Sequence, residues 1–206
     1  MNLKQLSLTL KIRLICDFFQ NMIVTAFLPF MALYLTDMVN QHFSGLFLFA
    51  LVMINFPISI ISGHIIERLP KKTLTLSYQL ILSLMLVIMA ITISEQVYMI
   101  ILFCIAYAIF SITIGMQQPI MDTIIMDAIT PEVEQYIYKI SYWLTNIAVA
   151  LGALIGGLMY GAHKSILFFI AFAIYIMVFI ALFIWLPNDL NQVNQSYTHH
   201  ANEQQF

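Results

Sequence analysis

Two long apolar runs meet at a short charged break. Phe43 to Ile66 carries only His64 as a titratable group, and Thr73 to Ile93 carries no charged residue. Between them, Glu67 to Lys72 packs three cations and one carboxylate into six residues. Charges this dense cannot sit in hydrocarbon, so the break marks where a membrane-spanning chain turns back. Three basic residues in a short loop also favour the cytoplasmic side.

The rest of the chain repeats this pattern. A span needs about 20 apolar residues, and six such runs fit: 12–36, 43–66, 73–93, 97–127, 138–160 and 166–186. The fourth run is longer than one crossing, so its last turns are expected to project into the cytoplasm. Connections this short make sequence neighbours antiparallel. Charged residues are only 9% of the chain and hydrophobic residues 62%, whereas a soluble domain carries roughly a quarter charged residues. The fold class that follows is an all-α integral membrane protein, a six-helix bundle.

Charge placement orients it. With the N-terminus inside, Lys4, Lys11, Arg13, Arg68, Lys71, Lys72 and Lys139 are all cytoplasmic and only Lys164 is outside. Both termini are therefore expected in the cytoplasm. The first apolar run is too long for a signal peptide and carries Asp17, so it reads as an uncleaved first helix. Residues 187–206 are rich in Asn, Gln and His and lack an apolar run, which predicts a disordered polar tail. The histidines there, His199 and His200, read as solvated residues. Cys16 and Cys104 lie in apolar runs and read as small core residues. The scattered basic residues form no face for nucleic acid.

Polar groups inside the spans are the candidate functional residues. Asp17 is ionisable within a span, which makes it a site for a proton or a cationic substrate. Arg13, four residues earlier on the same helical face, is an equally local partner for it. Gln20, Asn21, Asn55, Gln79, Gln117, Gln118 and Asn146 would lose water against lipid, so they are expected to face neighbouring helices. Asn21, Asn55 and Asn146 are the deepest of these. No His-rich metal spacing, nucleophile elbow or paired catalytic carboxylates appear, so neither an enzyme nor a cofactor or metal is expected.

Four stretches resemble the major facilitator superfamily, and in its order. Gly63, Glu67, Arg68, Lys71 and Lys72 resemble the loop signature Gly-x-Leu-Ala-Asp-Arg-x-Gly-Arg-Lys between helices 2 and 3, with Pro70 in place of the second Gly. Pro29 to Leu35 is similar to the Pro-Phe-x-x-x-Tyr segment of drug-efflux-like members. Pro119 with Asp127 to Glu132 is similar to their Pro…Asp-x-Thr-Pro-Glu pattern. Asn146 to Gly157 resembles the helix 5 antiporter motif, with Gly152, Gly156 and Gly157 matching and Ala153 at the usual Pro. Together these cover residues from about 12 to 186.

The resemblance implies an N-terminal six-helix half, built as 3+3 inverted repeats, of a twelve-helix transporter working by alternating access. It implies efflux of a small molecule, multidrug or small-solute, with proton coupling, in a bacterial plasma membrane. The lipid bilayer surrounds it, and a homodimer or a separate second half completes it. The alternative is a truncated half without independent activity. By resemblance, Asp127 pairs with Arg68 or Lys71 as a cytoplasmic gate, and the three glycines pack helix 5. Tyr107 stands where many proton-coupled members place an Arg.

Overall fold

The computed structural model describes residues 8–93, 96–129, 134–161 and 164–186, the side chains at 67, 68, 127 and 128 excepted. The expected tail and His199 and His200 lie outside the described residues.

Pro29 divides the first span. Helix α1, Leu8–Phe27, passes through a 3-10 turn at Leu28–Phe30 into α2, Met31–Met38. Proline lacks the amide that would continue the ladder, and its ring crowds the preceding turn. The remaining spans are single helices: α3 (Gln41–Arg68), α4 (Lys71–Thr92), α5 (Val97–Ala128), α6 (Glu134–Met159) and α7 (Lys164–Trp185). Pro57 and Pro119 stay inside α3 and α5. Six helical units are thus long and apolar enough to cross a membrane. One end of the bundle, here the near end, carries the start of α1 and the 69–70 turn. The far end carries the 39–40 turn, the end of α4 and the start of α5.

The turns follow from their residues. Asn40 caps α3, its side-chain oxygen accepting from the Phe43 amide at 2.8 Å. At the near end, Leu69 is extended, with φ −123° and ψ 151°, as the residue before a proline should be. Pro70 then starts α4, its carbonyl accepting from the Leu74 amide at 3.1 Å. A Leu-Pro pair makes this reversal with no residue at positive φ, so the glycine replaced by Pro70 is not needed for it. Gly63 lies within α3, and a Cβ there would meet nothing within 4 Å.

Helix α1 packs on α6 and α7, α4 lies between α5 and α7, and α3 rests on α5 and α2. Helices α3 and α6 bury the least of their surface. Between apolar helices in lipid, close contact and hydrogen bonds must hold the bundle, because burial from water contributes little. Aromatic rings fill the far half: Phe27 stands 5.3 Å from Phe110 and 5.4 Å from Phe168, centroid to centroid. Smaller chains, including Cys16, Leu74, Ile120 and Val178, fill the near half. Both cysteines are free and buried.

The tightest crossing joins α1 and α6. Ala148, Gly152 and Gly156 recur every four residues and are all buried. A Cβ on Gly152 would overlap the Met22 carbonyl oxygen, and one on Gly156 the Ala26 carbonyl oxygen. Gly157 sits at the edge of this crossing, exposed, with a Cβ position 3.8 Å from Phe30 Cζ.

Candidate functional site

Polar side chains gather in three places along the spans and one at the far end. Nearest the termini, Arg13 and Asp17 lie one turn apart on α1 and form an ion pair. Arg13 is only 3% exposed, and its Nε has no hydrogen-bond partner. Asp122, on α5, interacts electrostatically with the same guanidinium. Gln118 Nε2 donates to Asp122 Oδ1 at 3.4 Å. Arg13 is buried, whereas Gln118 and Asp122 are exposed along one side of α5. Asp17 is thus the ion-pair partner of the guanidinium and Asp122 lies within its electrostatic reach, three formal charges that sum to −1. A proton or a monovalent cation would neutralise that sum, and an unneutralised charge within a span is costly.

The second group joins four helices. Gln20 Nε2 donates to Gln79 Oε1 at 2.8 Å, and Gln117 Nε2 donates to the same oxygen at 2.9 Å. Gln79 Nε2 in turn donates to the Tyr175 carbonyl at 3.0 Å. Ser83 closes the local pattern by donating to the Gln79 carbonyl. Helices α1, α4, α5 and α7 therefore meet at one fully buried amide.

The third group couples α3 to α5. Asn55 Nδ2 donates to Ser111 Oγ at 2.8 Å, and Ser62 Oγ donates to the Met116 carbonyl at 2.7 Å. Gly115 makes room for it: a Cβ there would stand 2.7 Å from Asn55 Oδ1. That oxygen is buried and unpartnered.

At the far end, Lys164 Nζ and the Tyr160 hydroxyl each donate to Asp37 Oδ2 at 2.8 Å. The ammonium also lies 4.9 Å from the Tyr160 ring centroid and 5.3 Å from that of Tyr34. Burial first, and then Asp37, push the Tyr160 hydroxyl up to about 12. This clasp ties α2 to the start of α7.

The residues singled out from sequence are thus distributed unevenly. Asp17 and Gln20 belong to the first and second groups and Asn55 to the third. Asn21 donates to the Asp17 carbonyl of its own helix. Asn146 was expected to face a neighbouring helix. Instead it is exposed and donates to the Tyr142 carbonyl on its own helix, which an apolar helix permits at any rotation. Tyr107 is buried in the far-end core, 6.2 Å from the Phe47 ring. The side chains of Glu67, Arg68 and Asp127 lie outside the described residues, and with them the expected gate. Lys72 Nζ stands 5.9 Å over the Phe183 ring. Asp122, Asp37 and Lys164 were not among the candidate site residues read from sequence. The only available signal was charge bordering a span. Among the described residues, no three His, Cys, Asp or Glu side chains gather as metal ligands.

Comparison with known proteins agrees with this architecture. The sequence profile of the Major Facilitator Superfamily matches residues 12–200. A Na(+), Li(+), K(+)/H(+) antiporter of Planococcus maritimus is 21% identical over 164 residues, covering 80% of this chain and 39% of that protein. The chain thus matches about two fifths of its relative's length. Six apolar spans, no strand among the described residues and a profile match over most of the chain lead to one family: this multi-pass membrane protein belongs to the Major Facilitator Superfamily of transporters and is not an enzyme.

Proposed function

We propose that this six-helix unit forms one half of an exporter that moves a monovalent or organic cation outward in exchange for protons by alternating access. The observation that carries this reading is the Arg13–Asp17–Asp122 set, with net charge −1 and Gln118 and Asp122 exposed. A group of that charge holds either a proton or one cation, but not both, which is the competition an exchanger needs. The relative described as a cation/proton antiporter supports the same chemistry. The charge bias supports a near end in the cytoplasm of a bacterial plasma membrane. In this reading the loop residues Gly63, Glu67, Arg68, Lys71 and Lys72, with Asp127, gate the cytoplasmic side.

A second six-helix unit, either a separate chain or a second copy, would complete the pathway. The exposed stripes of α3 (Phe49, Val52, Phe56) and α6 (Trp143, Leu154, Leu158) support a partner there. They also support a second reading, in which this unit alone has no activity.

Expression in cells lacking their main efflux pumps tests both. Export of Na+, Li+ or a cationic dye above the empty-vector level, lost in Asp17→Asn and Asp122→Asn, supports the exchanger. Absence of export, with the protein folded in the membrane, favours the inactive half.

A further inference from the structure

A groove of about 670 Å³ runs along the far half of α5, walled by the end of α2 and the start of α3. Met38, Phe43, Phe47, Ile101, Cys104 and Ala108 are among its lining residues, and every lining side chain is apolar or a thiol. Phe43 and Phe47 stack with centroids 5.6 Å apart and planes 10° apart, giving one flat wall. We propose that this groove holds the acyl chain of a lipid from the far-end leaflet, the outer leaflet under the topology above.

Length is the first reason. The groove follows α5 from Val97 to Ala108, a rise of roughly 16 Å at 1.5 Å per residue. One leaflet of a hydrocarbon core about 30 Å thick is roughly 15 Å deep. The groove therefore starts at the membrane surface and ends near the midplane, the reach of one acyl chain.

Chemistry is the second. The lining offers no charged or amide group to an ion or polar solute, which separates it from the polar groups described above. Its mouth is polar: Asn40 and His42 are exposed, and the Tyr98 hydroxyl is paired with the Gln96 side chain. That is the polarity change a lipid crosses between headgroup and chain.

Position is the third. By the 3.6-residue period, Phe43 and Phe47 lie nearly opposite Phe49, Val52 and Phe56 on α3. A second transporter half seated on that exposed stripe would leave the groove to the bilayer. The inference is independent of the transported solute.

The test uses the full chain in nanodiscs of phosphatidylcholine carrying a diazirine midway along one acyl chain, irradiated and mapped by peptide mass spectrometry. Label on residues 97–108 and 43–47 should exceed that on the exposed face of α7 (Met177, Ile180, Ile184) at least fivefold. Ile105→Trp and Ala108→Trp should each lower groove labelling several-fold, and Ile180→Trp should not. Ile105 is 52% exposed, so its variant fills the groove without entering the core. Even labelling of all exposed faces would overturn the proposal, leaving only annular lipid. So would a groove labelled less than the exposed face of α7.

Discussion

Gln20 donates its side-chain amide to Gln79, 59 residues later in the chain, at 2.8 Å. The accepting oxygen also takes Gln117, and the Gln79 amide reaches Tyr175. Neither water nor lipid can replace these bonds in the bundle interior. Gln79→Leu should leave the Gln20 and Gln117 side-chain donors without their acceptor and cost about 1–3 kcal/mol for each donor that finds no substitute; the Tyr175 carbonyl, inside α7, loses only its second donor. Gln20→Leu removes one donor of the pair sharing the oxygen and should cost less. Unfolding of the purified protein by graded denaturing detergent orders the two; equal loss would mean that Gln79 is not the junction.

The α1–α6 crossing should be as sensitive to size as Gln79 is to polarity. Gly156→Leu drives a side chain into the Ala26 carbonyl and the Phe30 ring, and overpacking of this kind costs about 1–3 kcal/mol or more. Gly161→Ala, where a Cβ meets nothing within 4 Å, should leave the unfolding midpoint unchanged. Gly63→Ala should behave like Gly161→Ala in stability, whatever it does to transport.

Removing Asp17 should cost more than removing both members of its ion pair. Asp17→Ala leaves the buried Arg13 guanidinium without its ion-pair partner, and breaking a buried pair costs about 3–5 kcal/mol. Arg13→Met with Asp17→Ala removes both charges and should recover most of that stability. A transport assay then separates folding from exchange: the double variant should be folded and inactive.

The far-end clasp should matter little to stability. Asp37 and Lys164 are 51% and 28% exposed, and such pairs contribute about 0–1 kcal/mol. Lys164→Gln should therefore shift the unfolding midpoint slightly, and less in high salt. The Tyr160 hydroxyl ionises later in the folded protein than in the unfolded chain. Its contribution is thus fully present below about pH 10, the usual tyrosine value, and lost as pH rises through about 12. Tyr160→Phe should remove that part of the alkaline loss.

The spans were legible in sequence because a bilayer accepts only helices of a minimum apolar length, so length and hydropathy alone define them. Gly152 and Gly156 were legible because spacing by four puts both on one face whatever the face meets. Rotation was not legible. Helices apolar on every side carry no amphipathic stripe to say which way they turn. Asn146 therefore looked deep and proved exposed, whereas Tyr107 proved to be core. Gln79 and Gln117 were visible as polar residues, but nothing local pointed them at Gln20. The Arg13–Asp17 pair was legible from its spacing of four, but nothing local showed that the guanidinium would be buried or that Asp122 would come near it.

Proton movement in proteoliposomes tests the exchange account most directly. The purified chain would be reconstituted with a pH-sensitive dye inside and a proton gradient imposed. Na+, Li+, K+ or a lipophilic cation would then be added outside, with and without a co-reconstituted second half. Cation-dependent collapse of the gradient, saturable and absent in Asp17→Asn and Asp122→Asn, is the predicted result. A gradient that no cation disturbs in either preparation, or a collapse that both variants retain, would contradict it.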